Sequence, residues 1–145
     1  MKNEVIIYTD GSCSGNPGPG GYAAILLQEA KKHEITGGQR LTTNNRMELI
    51  AAISGLIMCS GKCEIILHSD SKYLVDGITK WLPSWKKNKW RKSDKKEIEN
   101  IDLWQMLDLL NNKLKITWRW VKGHANNTMN ERADYLARTE MEKYY

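Results

Sequence analysis

The chain is poor in cysteine, with three among 145 residues: Cys13, Cys59 and Cys63. The number is odd, and Cys59 and Cys63 have no matching Cys/His pair elsewhere, which excludes a zinc-ligand array. They read as structural or incidental thiols and fit a reducing cytoplasm. No apolar run approaches the roughly 20 residues of a membrane span. Met1-Lys2-Asn3-Glu4 leads straight into a strand-like run, so no signal peptide is expected. There is no internal repeat and no linker, and the length suits one domain over residues 1–145. The glycine-rich run at 15–21 lacks the Gly-Lys-Ser/Thr ending of a nucleotide loop and reads as a turn.

Four acidic residues stand in apolar surroundings. Asp10 follows Val5-Ile6-Ile7-Tyr8-Thr9, and Glu48 opens Glu48-Leu49-Ile50-Ala51-Ala52-Ile53. Asp70 ends Ile65-Ile66-Leu67-His68-Ser69, and Asp134 lies in Ala133-Asp134-Tyr135-Leu136-Ala137. An ionised carboxylate in such a setting is costly unless something positive offsets it. Each has a plainer reading alone: Asp10 as a turn cap, Asp70 as the cap of a helix starting at Ser71, Glu48 and Asp134 as solvated helix positions. Four together point to a shared partner. Oxygen ligands without a Cys/His set favour a hard divalent cation, Mg²⁺ or Mn²⁺. Two such ions roughly 3.5–4 Å apart would clamp the attacking water and the leaving oxygen of a phosphodiester. A static Ca²⁺ site is the competing reading, but no Asp-rich calcium loop is present.

Periodicity orders the chain as three strands, helix, strand, helices, strand, helix. Expected strands run over 5–12, 22–28, 32–41, 62–69 and 114–121. Short connections favour antiparallel pairing of the first three. Helical spacing appears at Leu49, Ile50, Ile53, Leu56 and Ile57 behind Thr43 as N-cap, at 71–80, and at Ile101, Leu103, Trp104, Leu107 and Leu110. Thr128-Met129-Asn130-Glu131 reads as a capping box opening the last helix. The class is α/β, a mixed sheet with helices packed on it. Asp10 and Asp70 fall on the two strands with the best claim to the sheet centre.

The net charge is +5, and residues 80–96 alone carry +7, leaving −2 on the rest. Concentrated basicity is the footprint of a polyanion partner. The same segment holds Trp81, Trp85 and Trp90. Trp81 is the best candidate for substrate contact, Trp85 and Trp90 are expected to pack, and Trp104, Trp118 and Trp120 fit core or semi-core positions. His68 is expected to be structural and His33 exposed.

The blocks Tyr8-Thr9-Asp10-Gly11-Ser12-Cys13-Ser14-Gly15-Asn16-Pro17-Gly18-Pro19-Gly20-Gly21, Thr42-Thr43-Asn44-Asn45-Arg46-Met47-Glu48-Leu49 and Ser69-Asp70-Ser71-Lys72-Tyr73 resemble a type 1 ribonuclease H of the bacterial kind. So do Trp120-Val121-Lys122-Gly123-His124-Ala125 and Asn130-Glu131-Arg132-Ala133-Asp134-Tyr135-Leu136-Ala137, in order over almost the whole chain. The resemblance implies a five-stranded sheet of three antiparallel strands then two parallel ones. It implies endonucleolytic hydrolysis of the RNA strand of an RNA–DNA hybrid, leaving 3′-hydroxyl and 5′-phosphate ends. It implies a monomer holding two Mg²⁺ ions, or Mn²⁺, on Asp10, Glu48, Asp70 and Asp134, with Asp10 bridging. Glu48 would also meet a ribose 2′-hydroxyl, and His124 would assist proton transfer or product release. Asn16, Asn44 and Asn45 would read the minor groove, and Thr43 with Asn100 would form a pocket for a DNA-strand phosphate. Residues 80–96, with Trp81, Lys86 and Lys87, would be a basic protrusion that grips the DNA strand.

Two departures stand out. Lys72 occupies a substrate-binding position where relatives commonly carry Gln, so groove contact there is expected to be weaker or shifted toward phosphate. Leu41 occupies one where they often carry a basic residue next to the phosphate pocket, with Arg40 as a candidate to compensate. Two rival readings are a hybrid- or duplex-RNA-binding module without catalysis and a metal nuclease acting on DNA, such as a junction resolvase or transposase core.

Overall fold

The computed structural model describes residues 3–92, 94, 96–123 and 127–145. Strand β1 spans Glu4–Cys13, β2 Gly18–Gln28 and β3 Lys31–Thr42, followed by helix α1, Asn44–Leu56. Then come β4, Glu64–Ser69, helix α2, Lys72–Asp76, a π-helical turn, Gly77–Trp81, and helix α3, Leu82–Lys87. Helix α4, Ile101–Lys113, strand β5, Lys115–Trp120, and helix α5, Thr128–Glu142, complete the chain. The sheet order is β3-β2-β1-β4-β5. β1 pairs antiparallel with β2 and β2 with β3, while β1–β4 and β4–β5 are parallel. This is the expected mixed sheet, with β1 at its centre and β4 beside it.

Burial alternates along β1, where Val5, Ile7 and Thr9 are buried and Ile6 and Tyr8 half-buried. Ile7 packs with Leu49, Ala52 and Leu56 of α1, Ile65 and Leu67 of β4, and Trp104 and Leu107 of α4 in one apolar core. Helix α5 covers the other face, where Ser12 donates to the Met141 sulfur at 3.4 Å. Neighbouring residues of a strand point to opposite faces, so Asp10 stands on the α5 side and Gly11 on the α1 side.

Three expectations are corrected. Gly18 to Gly21 belong to strand β2, not to a turn. Their glycines serve close approach: a Cβ on Gly20 would lie 2.4 Å from Thr42 Cγ2, and one on Gly21 2.2 Å from the Ala137 carbonyl oxygen. The helix expected over 71–80 divides into α2 and the π-helical turn, where Gly77 lies against the Trp104 ring. The last helix is capped by Asn127, whose Oδ1 accepts the Asn130 N–H at 3.0 Å, so Thr128 is the first helical residue and not the cap. Asn is at least as good a cap as Thr, and it stands one position earlier.

Candidate active site

Asp10 sits near the end of β1, Asp70 directly after β4, and Glu48 in the second turn of α1. Parallel pairing of β1 and β4 sends both strand ends to the same edge of the sheet. Gly11 lets α1 press onto that edge, because a Cβ there would lie 2.5 Å from the Glu48 nitrogen and 2.6 Å from the Met47 carbonyl carbon. As a result one carboxylate oxygen each of Asp10, Glu48 and Asp70 lies within 4.8 Å of the others. Asp10 and Glu48 are 4% and 5% exposed.

The electrostatics of this arrangement are adverse. Burial, reinforced by the charges of Asp70 and Asp134, pushes the Asp10 carboxyl up to about 8. Burial, with the charges of Asp10 and Asp70, raises Glu48 well above the ordinary carboxylate range. The Gly11 N–H opposes both shifts and is outweighed. Glu48 Oε1 is buried without a hydrogen-bond partner. An acceptor held dry and unpaired is costly and suits a cation.

Asp134, on α5, stands outside the three-carboxylate group. It is near enough to raise Asp10, and its Oδ2 accepts from Arg138 Nε at 3.0 Å, one helical turn on. His124 lies outside the described residues. Gly123 is described, and a Cβ there would approach Asp70 Oδ2 to 3.0 Å.

The other expected residues fall into three groups. Asn16 Oδ1 accepts the Asn44 N–H at 2.9 Å, which ties the loop after β1 to the start of α1 beside Asn45. Thr43 caps α1 by accepting the Arg46 N–H at 3.2 Å. Asn100 Oδ1 accepts from the Arg46 guanidinium at 3.1 Å, while its amide donates to the Tyr73 hydroxyl at 3.1 Å. Arg46 thus joins Thr43 to Asn100, and it also grips both oxygens of Asp102 at 3.1 and 2.9 Å. Sequence reasoning missed Arg46. The available signal was an arginine three residues after the cap and two before Glu48.

In the basic segment Trp81 is 37% exposed and meets Tyr73 edge-on with ring centroids 5.7 Å apart. Trp85 packs between Trp81 and Trp104, and Trp90 packs against the core, both as expected. Lys86 is paired with Asp108 at 3.1 Å, whereas Lys87 is exposed at the end of α3. Leu41 is 74% exposed. Trp120 is a correction: it is 44% exposed on the edge strand, not core, and its Nε1–H donates to the Asp70 carbonyl at 3.0 Å. Edge strands leave one flank open, so an aromatic there need not be covered.

The family model for RNase H matches residues 2–142. A ribonuclease H of Mesorhizobium japonicum is 57% identical over 141 residues, covering 97% of this chain and 80% of its own length. Among solved structures, LC9-RNase H1, described as a type 1 RNase H with the type 2 active-site motif, is 33% identical. It superposes with a TM-score of 0.87 over 100% of this chain and 75% of its own. LC11-RNase H1, solved in complex with an RNA/DNA hybrid, shares the fold at a TM-score of 0.70 and 24% identity, over 96% of this chain and 97% of its own.

Proposed function

We propose, since this chain belongs to the ribonuclease H family, that it is an endonuclease that hydrolyses the RNA strand of RNA–DNA hybrids with the help of two divalent metal ions. Membership makes it a nuclease of the hydrolase class. The observation that carries the finer reading is the convergence of Asp10, Glu48 and Asp70 within 4.8 Å, with Glu48 Oε1 buried and unpaired. Three hard oxygen donors and an orphaned acceptor fit Mg²⁺, with Mn²⁺ as a substitute. Asp10, Glu48, Asp70 and Asp134 would hold the ions. Bound there, the ions supply Lewis acidity to the phosphate and acidify an attacking water.

The residues do the rest. A water oxygen bonds to phosphorus, the bond from phosphorus to the ribose O3′ breaks, and the ends are 5′-phosphate and 3′-hydroxyl. Glu48 is an acceptor for the ribose 2′-hydroxyl, the group that separates RNA from DNA. The amides of Asn16, Asn44 and Asn45 offer donor and acceptor to base edges. Thr43 and Asn100, fixed to one another through Arg46, hold a phosphate of the DNA strand, and His124 moves a proton or assists product release. Residues 1–145 act as one catalytic domain. The enzyme works as a monomer in the cytoplasm, a reducing compartment that three free cysteines fit. Among the described residues no helix is long and apolar enough to cross a membrane.

The deciding experiment offers the purified protein a labelled RNA–DNA hybrid, an RNA duplex and a DNA duplex, with Mg²⁺, with Mn²⁺ and with EDTA. The expected result is cleavage of the hybrid's RNA alone and only with metal. Binding without cleavage, or cleavage of DNA, would replace the reading with one of its rivals.

Lys87→Ala should lower the slope of log affinity against log salt by about 0.9, one phosphate contact. Lys86→Ala should lower it less, because Asp108 already shares that ammonium. Fluorescence anisotropy over a salt series measures both slopes, and no change in either would remove the segment from the phosphate interface.

A further inference from the structure

We propose that Trp120 is a positioning residue that docks the Lys72 ammonium beside Asp70, where it meets a phosphate of the strand being cut. The inference rests on the hybrid-cleavage reading and adds to it a contact that the carboxylates cannot make. Trp120 is the last residue of β5 and is in register with Ser69, the residue before Asp70. Its Nε1–H donates to the Asp70 carbonyl at 3.0 Å, which fixes the indole to the strand end that carries the carboxylate. The ring is 44% exposed, and the Lys72 Nζ lies 4.8 Å from the centroid of the ring. Lys80 and Lys86 rest instead on carboxylates, Asp76 and Asp108.

The difference matters chemically. A carboxylate partner occupies the N–H donors of an ammonium, whereas a π face attracts the charge and leaves donors free. Lys72 is therefore held in place and still able to donate. A lysine stem otherwise loses rotamer freedom on binding, and holding it in advance reduces that cost. The charge of an ammonium favours an anionic phosphate over a base edge, where the amide that relatives commonly carry at this position can both donate and accept. The acidic cluster repels an incoming polyanion, and a cation held on the indole that is bonded to the Asp70 carbonyl offsets part of that repulsion.

The test measures hybrid binding by anisotropy across a salt series with Mg²⁺ present, in an Asp10→Asn background that keeps the hybrid intact. Lys72→Gln should weaken binding and lower the salt slope by about 0.9, one phosphate contact. Trp120→Phe keeps a π face but loses the Nε1–H anchor to the Asp70 carbonyl, so its slope should fall between those of the parent and Lys72→Gln. Trp120→Leu should fall to the slope of Lys72→Gln, and the double variant should fall no further. A parent slope in Lys72→Gln overturns the phosphate contact. A parent slope in Trp120→Leu, or additive losses in the double variant, overturns the docking role of Trp120. Lys72→Gln is an exposed change that leaves the fold alone, so the first outcome stands even if Trp120→Leu does not fold. Cleavage of the hybrid by the unaltered protein reports separately on the functional reading.

Discussion

Asp10→Asn is expected to lower hybrid hydrolysis by about 10³-fold or more, the scale seen when a group central to catalysis is removed, and at the same time to stabilise the metal-free protein. The two effects have one cause. Asp10 is a buried carboxylate facing two others, and its carboxyl titrates at about 8 in the fold against 3.8 in the open chain. Between those values the folded protein binds the proton and the unfolded chain does not. The contribution of Asp10 to stability is therefore highest at low pH and is lost as pH rises from about 4 to about 8. A tenfold difference in proton affinity between the two states is worth about 1.4 kcal/mol, so the loss is on the order of several kcal/mol when no cation is bound. Glu48, raised by burial and by its neighbours, acts in the same sense. His68, lowered by burial, acts in the opposite sense around its ordinary value, which is why the comparison is made between variants and not on one curve. Urea midpoints in EDTA at pH 5 and pH 8.5 should fall between the two pH values for the unaltered protein and fall less for Asp10→Asn. Full activity in the variant would end the metal assignment. A variant less stable than the parent at pH 8.5 would mean that the carboxylates do not strain the metal-free fold.

The strain of the carboxylates was legible because apolar sequence around an acid is itself an electrostatic statement. Val5 to Thr9 and Ile65 to Ser69 read as central strands, and the structure places them side by side with Asp10 and Asp70 at one edge. Features that depend on a distant partner were not legible. Gly20 and Gly21 look like turn residues by composition, yet they lie in β2 because Thr42 and the backbone of α5 come too close for any side chain. Trp120 reads as core by type, and only the open flank of an edge strand exposes it. Lys86 reads as one more basic residue of the segment until α4 brings Asp108 against it. Arg46 shows the same limit: its partners Asn100 and Asp102 lie more than fifty positions away in the chain. Local pattern carried the elements and the acids, and tertiary approach decided which polar groups remain available to a ligand.

Gly11→Ala should disable the site through a single methyl group. Alanine is ordinarily the better residue inside a regular element, by about 0.5–1 kcal/mol over glycine. Here the added Cβ would meet the Glu48 nitrogen at 2.5 Å, the Met47 carbonyl carbon at 2.6 Å and Met47 Cβ at 2.8 Å. Two of these atoms are helix backbone and cannot swing aside, so α1 must move away from β1. Overpacking of this kind costs about 1–3 kcal/mol or more, which outweighs the gain in chain entropy. The displaced segment carries Glu48, so the cost appears in function as well as in stability. Gly77→Ala provides the contrast: its Cβ would reach the Trp104 ring at 2.0 Å, a clash at least as severe but away from the carboxylates. Both variants should melt at lower temperature than the parent in EDTA. Only Gly11→Ala should also lose most of the rise in melting temperature that Mg²⁺ produces by binding the folded state, and with it kcat in the folded fraction. Equal metal-induced shifts in the two variants would show that the approach of α1 to β1 at Gly11 does not set the position of Glu48, and that the three carboxylates hold their geometry by other contacts.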